Sequence, residues 1–167
     1  MKLLLLWGLM FTSPVSHQDT GLAEIRALYS QAAFSKNVSE KLSLMLAKVD
    51  SLSEPFLICY KGASEMIEAK YLFNPFSKLN TFNKGKTLIE LAVKRDTGNL
   101  EVRFLRFGIQ VNIPSYMKYS NNIEEDKKLL ISGIATVADP ELKKNIVTYL
   151  SNPKFCTEEE IKKLKEQ

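Results

Sequence analysis

The feature that most constrains this chain is a period. Between residues 22 and 150, apolar side chains recur every three or four positions, and no stretch alternates apolar and polar residues two by two. Runs of β-branched residues bounded by turns are also missing, so strands have no footing. Leu22, Ile25, Leu28, Tyr29 and Ala32 mark a first helix, and Leu42, Met45, Leu46 and Val49 a second. A third carries Phe56, Tyr60, Ala63, Ile67 and Tyr71 on one face. Ser51 with Glu54 reads as its capping box, Pro55 sits in its first turn, and Pro75 ends it. A fourth is expected over about residues 79–95, with Phe82, Gly85, Leu88, Ile89 and Ala92 inward and Gly98 supplying the helix-ending conformation. The fifth starts near Leu100, buries Leu100, Phe104, Phe107 and Val111, and stops before Pro114. Asn122 with Glu125 opens a sixth through Leu129, Leu130, Ile134 and Val137. Asp139-Pro140 opens a seventh with Leu142, Ile146, Tyr149 and Leu150, and Thr157 with Glu160 caps a short polar eighth that frays. The expected fold is all-α: seven to eight helices in antiparallel pairs, arranged as a right-handed stack or an irregular bundle.

The first eighteen residues have a different character. Lys2 precedes an unbroken apolar run over residues 3–11, followed by small and polar residues and Pro14. That order is the layout of a secretory signal. Nine apolar residues rise only about 14 Å as a helix, half of what a bilayer core requires. Residues 1–18 are therefore expected to be a signal peptide and residues 19–167 a single all-α domain, exported to the periplasm or secreted. No cysteine follows the run closely enough to carry a lipid, so no stable membrane insertion is expected after cleavage. The net charge of +4 is spread along the chain without a basic block, which argues against a nucleic-acid partner.

Several chemistries lack their residues. The only histidine, His17, falls in the segment expected to be removed, taking with it the usual general base and the commonest zinc ligand. "NKGKT" at 83–87 lacks both the preceding strand and the glycine spacing of a phosphate loop. No metal and no cofactor are expected. Glu124, Glu125 and Asp126, and again Glu158, Glu159 and Glu160, fall in first helical turns, where the helix dipole favours negative charge. Cys59 and Cys156 allow a disulfide in an oxidising compartment or two buried thiols; the apolar surroundings of Cys59 favour the thiols.

Arg103, Arg106 and Gln110 share one stripe of the fifth helix. Two cations one turn apart repel each other by a few tenths of a kcal/mol unless anions lie nearby. Glu65 and Glu68 on the third helix are the expected partners. Either the arginines orient two helices through ion pairs or they clamp an anion in a groove. A second candidate is the loop "PSYMKYSNN" at 114–122, where Tyr116 and Tyr119 either bind or cover the end of the stack.

The stretch "LIELAVKRDTGNLE" resembles the end of a tetratricopeptide repeat. Ala92 matches the packing alanine, Asp96 and Asn99 match the corner, and Gly85 matches the small residue one stripe earlier, while Gly62 or Ala63 stands for the close-packing small residue of the upstream helix, which lacks the family's Trp-x-x-Leu-Gly-x-x-Tyr pattern. Thr97 stands where that family has proline, and the turn around "NPFSKLNTF" reads as longer than the family's. The resemblance covers about residues 56–112 and implies a repeat-like helical groove. The segments "YKGA", "AKY", "FNPF" and "NLEVRFLR" also resemble small exported helical proteins of Bacteroidetes-type bacteria, a likeness that implies no activity. The function expected is therefore non-enzymatic binding or scaffolding of a peptide, protein or envelope component. The alternatives are a carboxylate-dependent hydrolase on a helical scaffold and a purely structural part of a periplasmic assembly.

Overall fold

The computed structural model describes residues 17–166. The expected leader lies outside the described residues except for its last two positions, which open the first helix. Among the described residues there are eight α-helices and no strand: α1 (His17–Ala32), α2 (Lys36–Met45), α3 (Pro55–Tyr71), α4 (Pro75–Arg95), α5 (Leu100–Asn112), α6 (Ile123–Gly133), α7 (Pro140–Leu150) and α8 (Glu158–Lys165). Two single 3-10 turns, Ser115–Met117 and Ile134–Thr136, interrupt the connections. The all-α expectation holds.

Local signals set most boundaries, though not always as the sequence suggests. Pro75 does not merely end α3: with Asn74 as N-cap it is also the first residue of α4, so only residues 72–74 separate the two helices. The long turn expected there does not exist. The Ser51–Glu54 capping box is not formed either; Asp50 instead accepts from the backbone of Leu52 and Ser53 and from the Ser53 hydroxyl, making a local turn ahead of α3. Gly98 keeps a negative φ, and α4 closes on Asp96. At α6, the Asn122 side chain makes no cap bond but donates to Glu125, 3.2 Å away. The Asp139 cap and the Thr157–Glu160 capping box form as expected.

The three-residue connections 33–35 and 72–74 force α1–α2 and α3–α4 into antiparallel hairpins, and α5–α6 make a third. The α3–α4 pair is the tightest. A Cβ at Gly62 would lie 2.6 Å from the carbonyl oxygen of Gly85, and one at Gly85 would lie closer still to that of Gly62, so only glycine permits this approach. α1, α3 and α5 lie side by side, and α7 and α8 close the far end against α6.

α5 divides the interior. Its Val102, Leu105 and Ile109 complete one core with Ile25, Leu42, Ile58, Ile89 and Ala92 from α1–α4. Its Phe107, with the half-buried Leu100, Phe104 and Val111, packs into a second core with Leu130, Ile146, Leu150 and Leu164. One apolar face was expected on this helix; it has two. Leu164 is almost fully buried, so α8 is docked rather than frayed. Cys59 and Cys156 are free thiols in different cores, both held protonated by burial.

Candidate functional site

Between the two apolar faces of α5, the polar stripe is turned toward α4 and α6 rather than toward solvent. Arg103, Arg106 and Gln110 are each 4 % exposed or less. Their partners are not Glu65 and Glu68. Glu65 pairs with Lys84, and Lys61 donates to the carbonyl of Val49 behind α2, so this polar stripe of α3 serves α2 and α4. The anion is Asp126, which is fully buried in the first turn of α6. Arg106 grips both of its oxygens, Nε to Oδ2 at 2.7 Å and Nη2 to Oδ1 at 2.7 Å. Arg103 donates to Asp126 Oδ1 at 2.9 Å, to Glu125 at 2.8 Å and, through Nε, to the Thr97 carbonyl at 2.9 Å. The remaining arm of Arg106 reaches Glu90 of α4, 2.9 Å away, whose other oxygen accepts from the Tyr119 hydroxyl at 2.6 Å.

The electrostatics follow from this enclosure. Burial works against the Arg106 charge, but the hydrogen bonds and field of Asp126 outweigh it and hold the guanidinium protonated more firmly than usual. Burial, and then the hydrogen bond to Glu90, pushes the Tyr119 phenol above its ordinary range. Glu125 is held below the usual carboxylate range by the Asn122 amide first and the Arg103 guanidinium second. Gln110 accepts from the Asn122 backbone N–H at 3.2 Å, steadying the start of α6. The donors that the sequence suggested for a ligand are therefore engaged with protein. The geometry joins Arg103, Arg106, Gln110 and Tyr119 into one cluster tying α4, α5 and α6 together. Tyr116 stands apart, 78 % exposed.

A second cluster was not foreseen. Arg26 of α1 makes a two-pronged contact with Glu101 of α5, at 2.7 and 2.8 Å, and reaches Asp139, the N-cap of α7, at 2.6 Å. Tyr60 of α3 donates to the same Glu101 at 2.8 Å, and its ring meets Tyr29 edge-on at 5.5 Å. The hydrogen bond with Glu101 is the largest influence keeping Arg26 charged, and the Arg26 bond in turn holds Asp139 well below the usual carboxylate range. The row α1–α3–α5 is thus curled until its first and third members touch. The middle of any groove along it is filled by Tyr29, Tyr60 and Arg26. What stays open is a cleft of about 420 Å³ with Leu22, Leu100 and Leu142 as walls and Arg26, Asn99 and Asp139 at its polar rim. A clue existed in the sequence: Arg26 interrupts the apolar stripe Leu22–Ile25–Tyr29, where a charge needs a partner.

Among the described residues no group of three or more His, Cys, Asp or Glu side chains is placed to hold a metal ion, and no helix is long and apolar enough to cross a membrane. No family model, no curated protein and no solved structure matches this chain.

Proposed function

We propose that this chain is an exported, non-enzymatic binding or scaffolding protein, a tetratricopeptide-like helical stack that takes an extended segment of a peptide or protein partner. The single observation that carries the reading is the cleft where the curled row of first helices meets the start of α7. Leu22, Leu100 and Leu142 give apolar wall for a partner's side chains, while Arg26, Asn99 and Asp139 at the rim are held by Glu101, Asp96 and the start of α7 and set the shape of the opening. The Arg26–Glu101–Asp139 cluster holds that cleft in one shape, which lowers the ordering cost of binding. Export rests on the leader layout of residues 1–18.

The test uses a photoreactive side chain in place of Thr136, an exposed residue at the cleft mouth. Irradiation in an envelope extract is expected to give a discrete crosslinked partner. Ala138→Trp, which fills the mouth from another exposed position, should remove that product while the melting temperature stays put. A crosslink that survives Ala138→Trp unchanged sinks the cleft as the docking site.

A further inference from the structure

Antiparallel hairpins in a side-by-side row put all of their internal turns at one end. Here those turns are residues 33–35, 72–74 and 113–122. Side chains at the ends of the helices confirm that they adjoin. Lys70 and Tyr71, at the end of α3, donate to the carbonyls of Ala33 and Ala32 at 2.6 and 2.9 Å. Tyr119 of the third turn packs with Ala69 and Phe82 of the second hairpin, ring against ring at 6.4 Å.

Each turn projects an aromatic ring into solvent. Phe34 is 88 % exposed in the first, Phe73 and Phe76 are 100 % and 83 % exposed in or beside the second, and Tyr116 crowns the third, with Leu79 half exposed below. Isolated exposed apolar residues are ordinary, but four large rings on three adjoining turns form a row. None of them contributes to a core.

The charges of this edge are one-sided. Segments 33–39, 69–89 and 107–123 contain no aspartate or glutamate, in a chain with 19 of them. They hold Lys36, Lys70, Lys78 and Lys118, all exposed and each within three residues of one of the rings. The bordering carboxylates are already paired or set back: Glu40 pairs with Lys36 at 3.5 Å, Glu68 lies one turn back on α3, Glu90 is taken by Arg106 and Tyr119, and Glu124 pairs with Lys127. Lys70 also leans over the Tyr71 ring at 5.8 Å. A protein partner of mixed charge gains little from such an edge. Rings interleaved with lysines fit the boundary of an anionic bilayer, where rings settle at headgroup level and ammonium groups meet lipid phosphates.

We infer that the three hairpin turns, through Phe34, Phe73, Phe76 and Tyr116 with Lys36, Lys70, Lys78 and Lys118, form a docking edge for an anionic membrane surface. The stack would stand on this end without any helix entering the bilayer, leaving the opposite end, with residues 46–54 and 96–99, in water.

The buried state of Cys59 and Cys156 makes the test clean, because an introduced surface cysteine is the reactive one. The full chain carrying Phe73→Cys with a polarity-sensitive dye is mixed with vesicles of equal parts phosphatidylcholine and phosphatidylglycerol. A blue shift is expected, with binding about tenfold or more weaker to phosphatidylcholine alone. The same dye at Leu52→Cys, exposed at the other end, should not shift. Lys36→Gln/Lys78→Gln/Lys118→Gln should lose most of the preference for phosphatidylglycerol. Absence of a shift at residue 73, equal shifts at residues 73 and 52, or equal affinity for both vesicle types overturns the inference. So does sedimentation showing a dimer that Phe34→Ser/Phe73→Ser/Phe76→Ser dissolves, since the occupant is then a second copy of the chain.

Discussion

The two arginine clusters use the same chemistry in different surroundings. In both, one guanidinium grips one carboxylate with two parallel hydrogen bonds, Arg106 on Asp126 and Arg26 on Glu101. Asp126 is wholly enclosed between α5 and α6 and serves two arginines at once. The Arg26 cluster opens on the cleft, and its outer carboxylate, Asp139, is 40 % exposed. Glu125 and Glu90 on the outer side of the first cluster are as exposed as Asp139, so the contrast lies in Asp126 itself, which water cannot replace between the two arginines. The difference separates a contact that fixes the fold from one that shapes an opening.

The largest effect should come from breaking the enclosed cluster. Asp126→Ala leaves two buried cations facing each other, and a loss of about 3–5 kcal/mol is expected in urea unfolding. If Asp126→Ala is as mild as a surface change, the α5–α6 contact is not closed in solution. Glu101→Ala should cost less, about 1.5–3 kcal/mol, because Arg26 stays next to the cleft while Tyr60 loses its acceptor. Equal losses in the two variants would erase the contrast between the clusters.

Asp139→Asn sharpens the comparison further. Asparagine still caps α7, so only the charge facing Arg26 is removed, and the cost at neutral pH should be below about 1 kcal/mol. The pH dependence has a definite sign. Asp139 and Glu125 are held below their ordinary range when folded, so their stabilisation is present above the unfolded carboxylate pKa and fades as pH falls through the folded one. The gap in melting temperature between the native chain and Asp139→Asn should therefore close below about pH 4. A gap that widens in acid contradicts the assignment. The smallest effect is expected at the aromatic edge, where Phe73→Ser touches no core and should change stability by no more than about 0.5 kcal/mol.

Ala92, Gly85 and Asp139 show how much of this architecture is written locally. Their roles as packing alanine, close-approach glycine and helix cap depend on neighbours within a few residues or on a repeated spacing, and both are visible in a linear text. Arg103 and Arg106 show the other case. The spacing of the two cations demanded an anion, and one is present, but the sequence pointed to Glu65 and Glu68 on α3. The structure supplies Asp126, Glu125 and Glu90 instead. Asp126 and Glu125 already had a sufficient local explanation in the dipole of α6, which hid their second role.

By itself, the sequence determined that the chain is helical, that Pro55, Asp139 and Thr157 mark helix starts, and that its paired cations needed counter-charges. Those properties arise from backbone hydrogen bonding and side-chain spacing within a turn or two. Only the tertiary structure decided that the polar stripe of α5 is buried between α4 and α6, that Arg26 reaches a carboxylate 113 residues away, and that three turns gather their exposed rings along one edge. Such pairings depend on how far a row of hairpins curls, which is fixed by packing between faces rather than by any local pattern.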